Sequence, residues 1–183
     1  MKWKKILVVY YSRSGNSKKV ATEIARKLDS DLEEITTDVS YSGFFGYQRA
    51  LVHVLFNHFP KIQKINRNLN DYDLIVIGCP IWGTFIAAPV RSFLFDYKDT
   101  LTNIAFFSTQ GGMAGKKRPL KELKKILRFK PVASLVLTTK EFLDNSFMLS
   151  VTDFIFRIKN GHPKHTHKKI TKNHLYTKVQ TQC

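Results

Sequence analysis

The sequence has few acidic residues. Fourteen Asp and Glu stand against 30 Lys and Arg, a formal charge of +16. The deficit extends to the C-terminus: seven Lys and Arg follow from Arg157 onward with no acid among them, and the other 23 still outnumber the acids. Such a balance argues against cationic partners and favours anionic ones: nucleic acid, anionic lipid, acidic proteins or phosphate-bearing ligands. Cysteine is scarce too, with only Cys79 and Cys183. That excludes a disulfide framework and makes a reduced, cytoplasmic setting the simpler reading. A chain of 183 residues needs no such framework, since it can bury roughly 70% of its unfolded surface in one domain. Long apolar runs are also missing. No stretch approaches the ~20 residues of a spanning helix. The start MKWKKILVVYYS has too short an apolar core for a signal peptide and no small-residue cleavage site. It reads as a first buried strand.

What is present alternates between two patterns. Residues 6–10 are a continuous β-branched apolar run, as in a strand buried on both faces. Residues 17–28 then put Val20, Ala21, Ile24 and Leu28 on one helical face. A short strand is expected over 31–36, and an aromatic-rich loop and helix over 40–59, stopped by Pro60. Further strands are expected over 72–80, 103–108 and 133–137, with helices near 90–95, 119–129 and 140–158. Five apolar strands alternating with helices indicate an α/β fold with a mostly parallel sheet covered on both faces. Residues 1–160 would form this domain, and the polar, basic stretch 161–183 a disordered tail. His162, His165, His167 and His174 in that tail have no acidic or cysteine companions, so no metal site is expected.

Sheets of this kind bind ligands beyond the carboxyl ends of their strands, where the strand order switches. Three loops rich in small and polar residues fall there. The first joins strand to helix through Ser12, Arg13, Ser14, Gly15, Asn16 and Ser17. Serines at a helix entrance can be simple caps. Hydroxyls, free N–H groups, the positive end of a helix dipole and a glycine that permits close approach also suit a phosphate. No lysine follows in a Walker pattern, so a phosphomonoester fits better than a triphosphate. Cys79 reads as a buried packing residue. Lys116–Arg118 is either a solvated basic face or an anion-docking point at a helix start, where the dipole disfavours cations.

With its order of Tyr10, Ser12, Gly15, Ser17, Ala21 and Ile24, the chain resembles the flavodoxin-like family of FMN proteins. The stretches DYDLIVIGCPIWGTFIAAPVRSFL and FFSTQGGMAG resemble that family's two other flavin loops. The resemblance implies a three-layer sandwich around a five-stranded parallel sheet, and FMN as cofactor. Residues 12–17 would hold the phosphate. Pro80, Ile81, Trp82, Gly83 and Thr84 would lie along one side of the isoalloxazine, with Trp82 stacked on it. Ser108, Thr109, Gln110, Gly111 and Gly112 would line the pyrimidine edge. Trp82 as an ordinary core residue is the competing reading. The implied function is that of a redox protein, carrying electrons or acting as a small NAD(P)H- or quinone-linked reductase. Its partner would be a redox protein or a small-molecule acceptor. The alternative is a flavin-free scaffold that binds nucleic acid or anionic membrane through its basic surface. Aromatics confined to apolar strands weigh against nucleic acid. A cytoplasmic location, peripheral to membrane through the basic tail, is expected.

Overall fold

The computed structural model describes residues 3–111, 115, 117–144 and 146–160. The expected tail, with its histidines, lies outside them, as do Gly112 and Lys116. Strand β1 (Ile6–Tyr10) is buried throughout, as its unbroken apolar run requires. Helix α1 (Asn16–Leu28) follows, and then β2 (Asp31–Glu34), which ends two residues short of the expected strand. Helix α2 (Gly43–Leu55) leads through a 3₁₀ turn to β3 (Leu74–Trp82). Strand β3 pairs in parallel with both β1 and β5 (Ile104–Gln110), through Ile77 on Val9 and Phe106. It runs past Pro80, which was expected to end it. A short strand, β4 (Phe85–Ile86), folds back antiparallel on Ile81 and Trp82.

Helix α3 (Ala88–Tyr97) starts with proline in its first turn, where no N–H is needed. Strand β5 (Ile104–Gln110), helix α4 (Arg118–Leu127) and strand β6 (Ser134–Thr138) complete the sheet, in the order β2-β1-β3-β5-β6 with β4 off β3. The single helix expected over 140–158 is two: α5 (Thr139–Leu143) and α6 (Phe147–Asn160). Thr138 and Glu141 form a reciprocal cap on α5, which fixes a separate start for that helix directly after β6.

Two apolar clusters flank the sheet. On one face α1 and α6 bring Val20, Ile24, Val151 and Phe154 onto Val8 and Phe107. On the other, Phe93, Leu94 and Leu123 from α3 and α4 meet Ile77 and Phe106, with Ala50 and Val54 of α2 beside them. The result is the expected three-layer α/β sandwich with five parallel strands. The order reverses between β1 and β3, so the loops after those strands open at the switch point. Among the described residues no helix is long and apolar enough to cross a membrane.

Candidate functional site

At the carboxyl end of β1 the chain turns through residues 12–15 into α1. Gly15 has φ of +91°, a left-handed conformation that L side chains rarely adopt, and open space beside its Cα. Its N–H donates to Ser12 Oγ at 3.1 Å, so the loop is closed by its own hydroxyl. No side chain caps α1, and no acidic residue stands in its first turn. Ser14, Gly15 and Asn16 are exposed. The uncapped helix end therefore offers N–H donors and partial positive charge to an outside anion.

Ser17 is different. It is buried, and its Oγ lies 2.8 Å from Thr109 Oγ1 of β5. That bond crosses over β3 and ties the first loop to the third. Sequence reasoning treated both hydroxyls as ligand donors, whereas here they partner each other. Strand β5 also continues to Gln110, so Thr109 and Gln110 sit on a strand rather than in the turn expected after Ser108. Its pairing with Pro80 and Thr138 holds this end in place.

Three buried polar atoms at these strand ends have no hydrogen-bond partner: Trp82 Nε1, Ser108 Oγ and Gln110 Oε1. Side-chain alternation puts Ser108 and Gln110 on one face of β5, the face of Phe106. An unpartnered buried group costs about 1–3 kcal/mol, so a cluster of them is worth an explanation. Donors and acceptors collected beside the switch point suit a planar, polar ligand.

Trp82 itself is 3% exposed. Its indole meets Tyr41 at 4.8 Å and Tyr11 edge-on at 5.8 Å. Burial pushes the pKa of the Tyr11 and Tyr41 hydroxyls up to about 12. Cys79 is likewise held as a thiol by complete burial. Gly83, at φ of +60°, and Thr84 follow as the turn into β4. Ile86 N–H donates to Glu122 Oε2 at 2.8 Å, and Glu122 Oε1 lies 3.2 Å from Arg91 Nε. Arg91 is further held by Asn57 Oδ1 at 2.6 Å. Through this chain α4, α3 and the turn after α2 fix the second loop, and sequence reasoning missed it. Only the charges at positions 91 and 122, inside otherwise apolar helix faces, hinted at it.

A family model described as flavodoxin matches residues 5–147. The chain belongs to the flavodoxin family. Solved structures share its fold. A Lactobacillus acidophilus flavoprotein crystallised in complex with FMN is 30% identical, with a TM-score of 0.64 over 78% of this chain and 99% of that one. A flavoprotein candidate from Bacteroides eggerthii is 21% identical, with a TM-score of 0.63 over 81% of this chain and 98% of that one. A WrbA-like flavodoxin from Agrobacterium tumefaciens, 13% identical, shares the fold at a TM-score of 0.51 over 86% of this chain and 99% of that one. No curated protein matches.

In this flavodoxin-family chain the three expected loops meet at one end of the sheet. Ser12 to Asn16 and Gly83 to Thr84 stand at its surface, with Gly111 exposed across from them; Pro80, Ile81, Trp82, Ser108, Thr109 and Gln110 lie at strand ends beneath. A separate groove of about 910 Å³ runs between α3 and α4 and reaches this end at Thr84 and Phe85. It is lined by Lys98, Arg118, Lys121 and Lys125. No group of His, Cys, Asp or Glu suited to a metal occurs among the described residues.

Proposed function

We propose that this flavodoxin-family protein binds FMN at the β1/β3 switch point and works as a redox protein. Its role is to pass electrons to an acidic redox partner or a small-molecule acceptor. The observation that carries the reading is the loop at residues 12–16: a strand-to-helix turn with a left-handed glycine, exposed donors and an uncapped helix end. The FMN complex of the Lactobacillus acidophilus flavoprotein supports it.

Bound FMN would supply one- and two-electron redox chemistry; the chain's own residues do the rest. Ser12, Ser14, Asn16 and the first N–H groups of α1 would hold the phosphate, with Arg13 beside them. The Arg13 guanidinium lies 5.3 Å over the Tyr47 ring, which keeps it near the loop mouth. Gly83 and Thr84 would follow one side of the ring system. Ser108 Oγ and Gln110 Oε1, unpartnered without a ligand, would bond the ring's polar edge. The fit is therefore good for the phosphate; the polar edge requires Ser108 and Gln110, which are buried, to be uncovered. For stacking it requires Trp82 to share a face now held by Tyr41, or Tyr41 to serve in its place.

A net charge of +16 favours an acidic partner surface, met in the cytoplasm, because opposite potentials steer encounter. The basic residues of 161–183, outside the described ones, would add to that attraction.

The visible spectrum of the purified protein tests the reading. A yellow preparation that releases FMN, or a colourless one that takes it up, is expected. A colourless protein that refuses FMN yet binds nucleic acid with a steep salt dependence would instead favour the flavin-free scaffold.

A further inference from the structure

Helix α2 is amphipathic the wrong way round for a packed helix. A surface helix normally buries its large apolar residues and shows polar ones to water. Here the buried residues are the small ones, Gly46, Ala50 and Val54. Gly46 lies so close to the Tyr41 backbone that a Cβ would not fit, so this face is seated firmly. At 3.6 residues per turn the opposite side carries Phe44, Phe45, Val52, Leu55 and, at the cap, Phe56. Phe44 is 71% exposed, Phe45 and Phe56 each 78%. Single exposed apolar residues are ordinary, but a stripe of them on one helix is not.

The charge around the stripe is one-sided. Residues 39–70 contain no Asp or Glu. Arg49 on α2 and the exposed Lys61 and Lys64 beyond it have no ion-pair partner among the described residues. A protruding aromatic and aliphatic face bordered by unpaired cations is the composition of a helix lying in an anionic lipid interface. A second copy of this chain would bring the same cations against them, and like charges disfavour that pairing.

We propose that α2 docks this protein on anionic phospholipid bilayers by inserting its outward aromatic stripe at the headgroup boundary. The site described above then opens next to the lipid, since Leu51 of α2 sits 3.7 Å from the position of a Cβ on Gly83, and Tyr47 lies under Arg13. The docking does not depend on bound flavin.

The test uses the full chain with Phe45→Trp as an interfacial reporter; the native Trp3 and Trp82 are buried. Vesicles of phosphatidylcholine with and without about 30 mol % phosphatidylglycerol are titrated in, with and without added FMN. The proposal predicts blue-shifted emission and quenching by brominated acyl chains on the anionic vesicles, whether or not FMN is present. A second variant, Phe44→Ser/Phe56→Ser, changes only exposed positions and should lower vesicle partitioning by roughly tenfold or more. Binding without a blue shift, or undiminished in the double variant, would assign attraction to charge alone and overturn the proposal. Lipid-free dimerisation that the double variant abolishes would give the stripe to a second copy and overturn it equally.

Discussion

Replacing Glu122 by alanine should destabilise the protein and loosen the second loop of the site. Glu122 does two things at once: Oε2 accepts the Ile86 N–H at 2.8 Å, and Oε1 stands 3.2 Å from Arg91 Nε. The side chains of Arg91 and Glu122 are 8% and 16% exposed. Breaking such a buried pair costs about 3–5 kcal/mol, because the remaining charge stays buried. Arg91 keeps Asn57 and the Val54 carbonyl as partners, which limits the loss. Burial also outweighs the pull of Arg91 and raises the Glu122 pKa above its ordinary value, so the carboxylate itself sits uneasily. The net loss is about 3 kcal/mol. In a chain of this size that is a drop in Tm of about 6–12 °C. Thermal and urea unfolding followed by circular dichroism measure it.

Glu122→Gln keeps an acceptor for the Ile86 N–H but turns an amide NH2 toward the Arg91 guanidinium, so it should lose less than alanine and still about 1–3 kcal/mol. The pH arm has a definite sign. A raised folded pKa means that the folded state binds the proton more tightly. That contribution is complete below the unfolded value of about 4.3 and is lost as pH rises through the folded pKa. Wild type should therefore lose ground to Glu122→Gln with rising pH across that window. An alanine variant within about 0.5 kcal/mol of wild type, or the opposite pH trend, would remove Glu122 from this role.

Other perturbations have equally definite outcomes. Ser14→Asp sets a carboxylate near the phosphate position in an exposed loop; at ~5 Å and water-like dielectric a dianion costs it about 1.7 kcal/mol, roughly a fifteenfold loss of FMN affinity by fluorescence titration. Riboflavin affinity should stay unchanged. Ser17→Ala strands Thr109 Oγ1 in the core and should cost about 1–3 kcal/mol in urea unfolding, while Ser17→Ala with Thr109→Val should recover most of it. Trp82→Phe removes an unpartnered buried N–H, so it should not lower stability by more than about 1 kcal/mol. Brighter emission from bound FMN in that variant would show that the indole had been its quencher, and unchanged emission would give the stacking position to Tyr41.

The parts of the fold carried by local pattern were legible. The residues of β1 announce a doubly buried strand, and its observed bounds coincide with the apolar run. Val20, Ile24 and Leu28 mark the buried face of α1 in both readings. What escaped depends on distant contacts. Two residues, Phe85 and Ile86, carry no strand signal alone and become β4 only because β3 extends beneath them. Trp82 is covered by Tyr41, from a loop far earlier in the chain. Ser17 and Thr109 are 92 positions apart, and nothing local says that they pair. The outward stripe of α2 was visible as an aromatic-rich stretch, but its orientation is set by the fit of Gly46 against Tyr41.

The phosphate site formed by residues 12–16 and the uncapped start of α1 can be measured alone. The direct measurement is the pair of dissociation constants for FMN and riboflavin on the apoprotein, by flavin fluorescence at one ionic strength. FMN should bind at least ~10-fold more tightly, a difference of about 1.4 kcal/mol due to the phosphate alone. Equal affinities, or no binding of either, would leave the opening loop as an ordinary helix entrance.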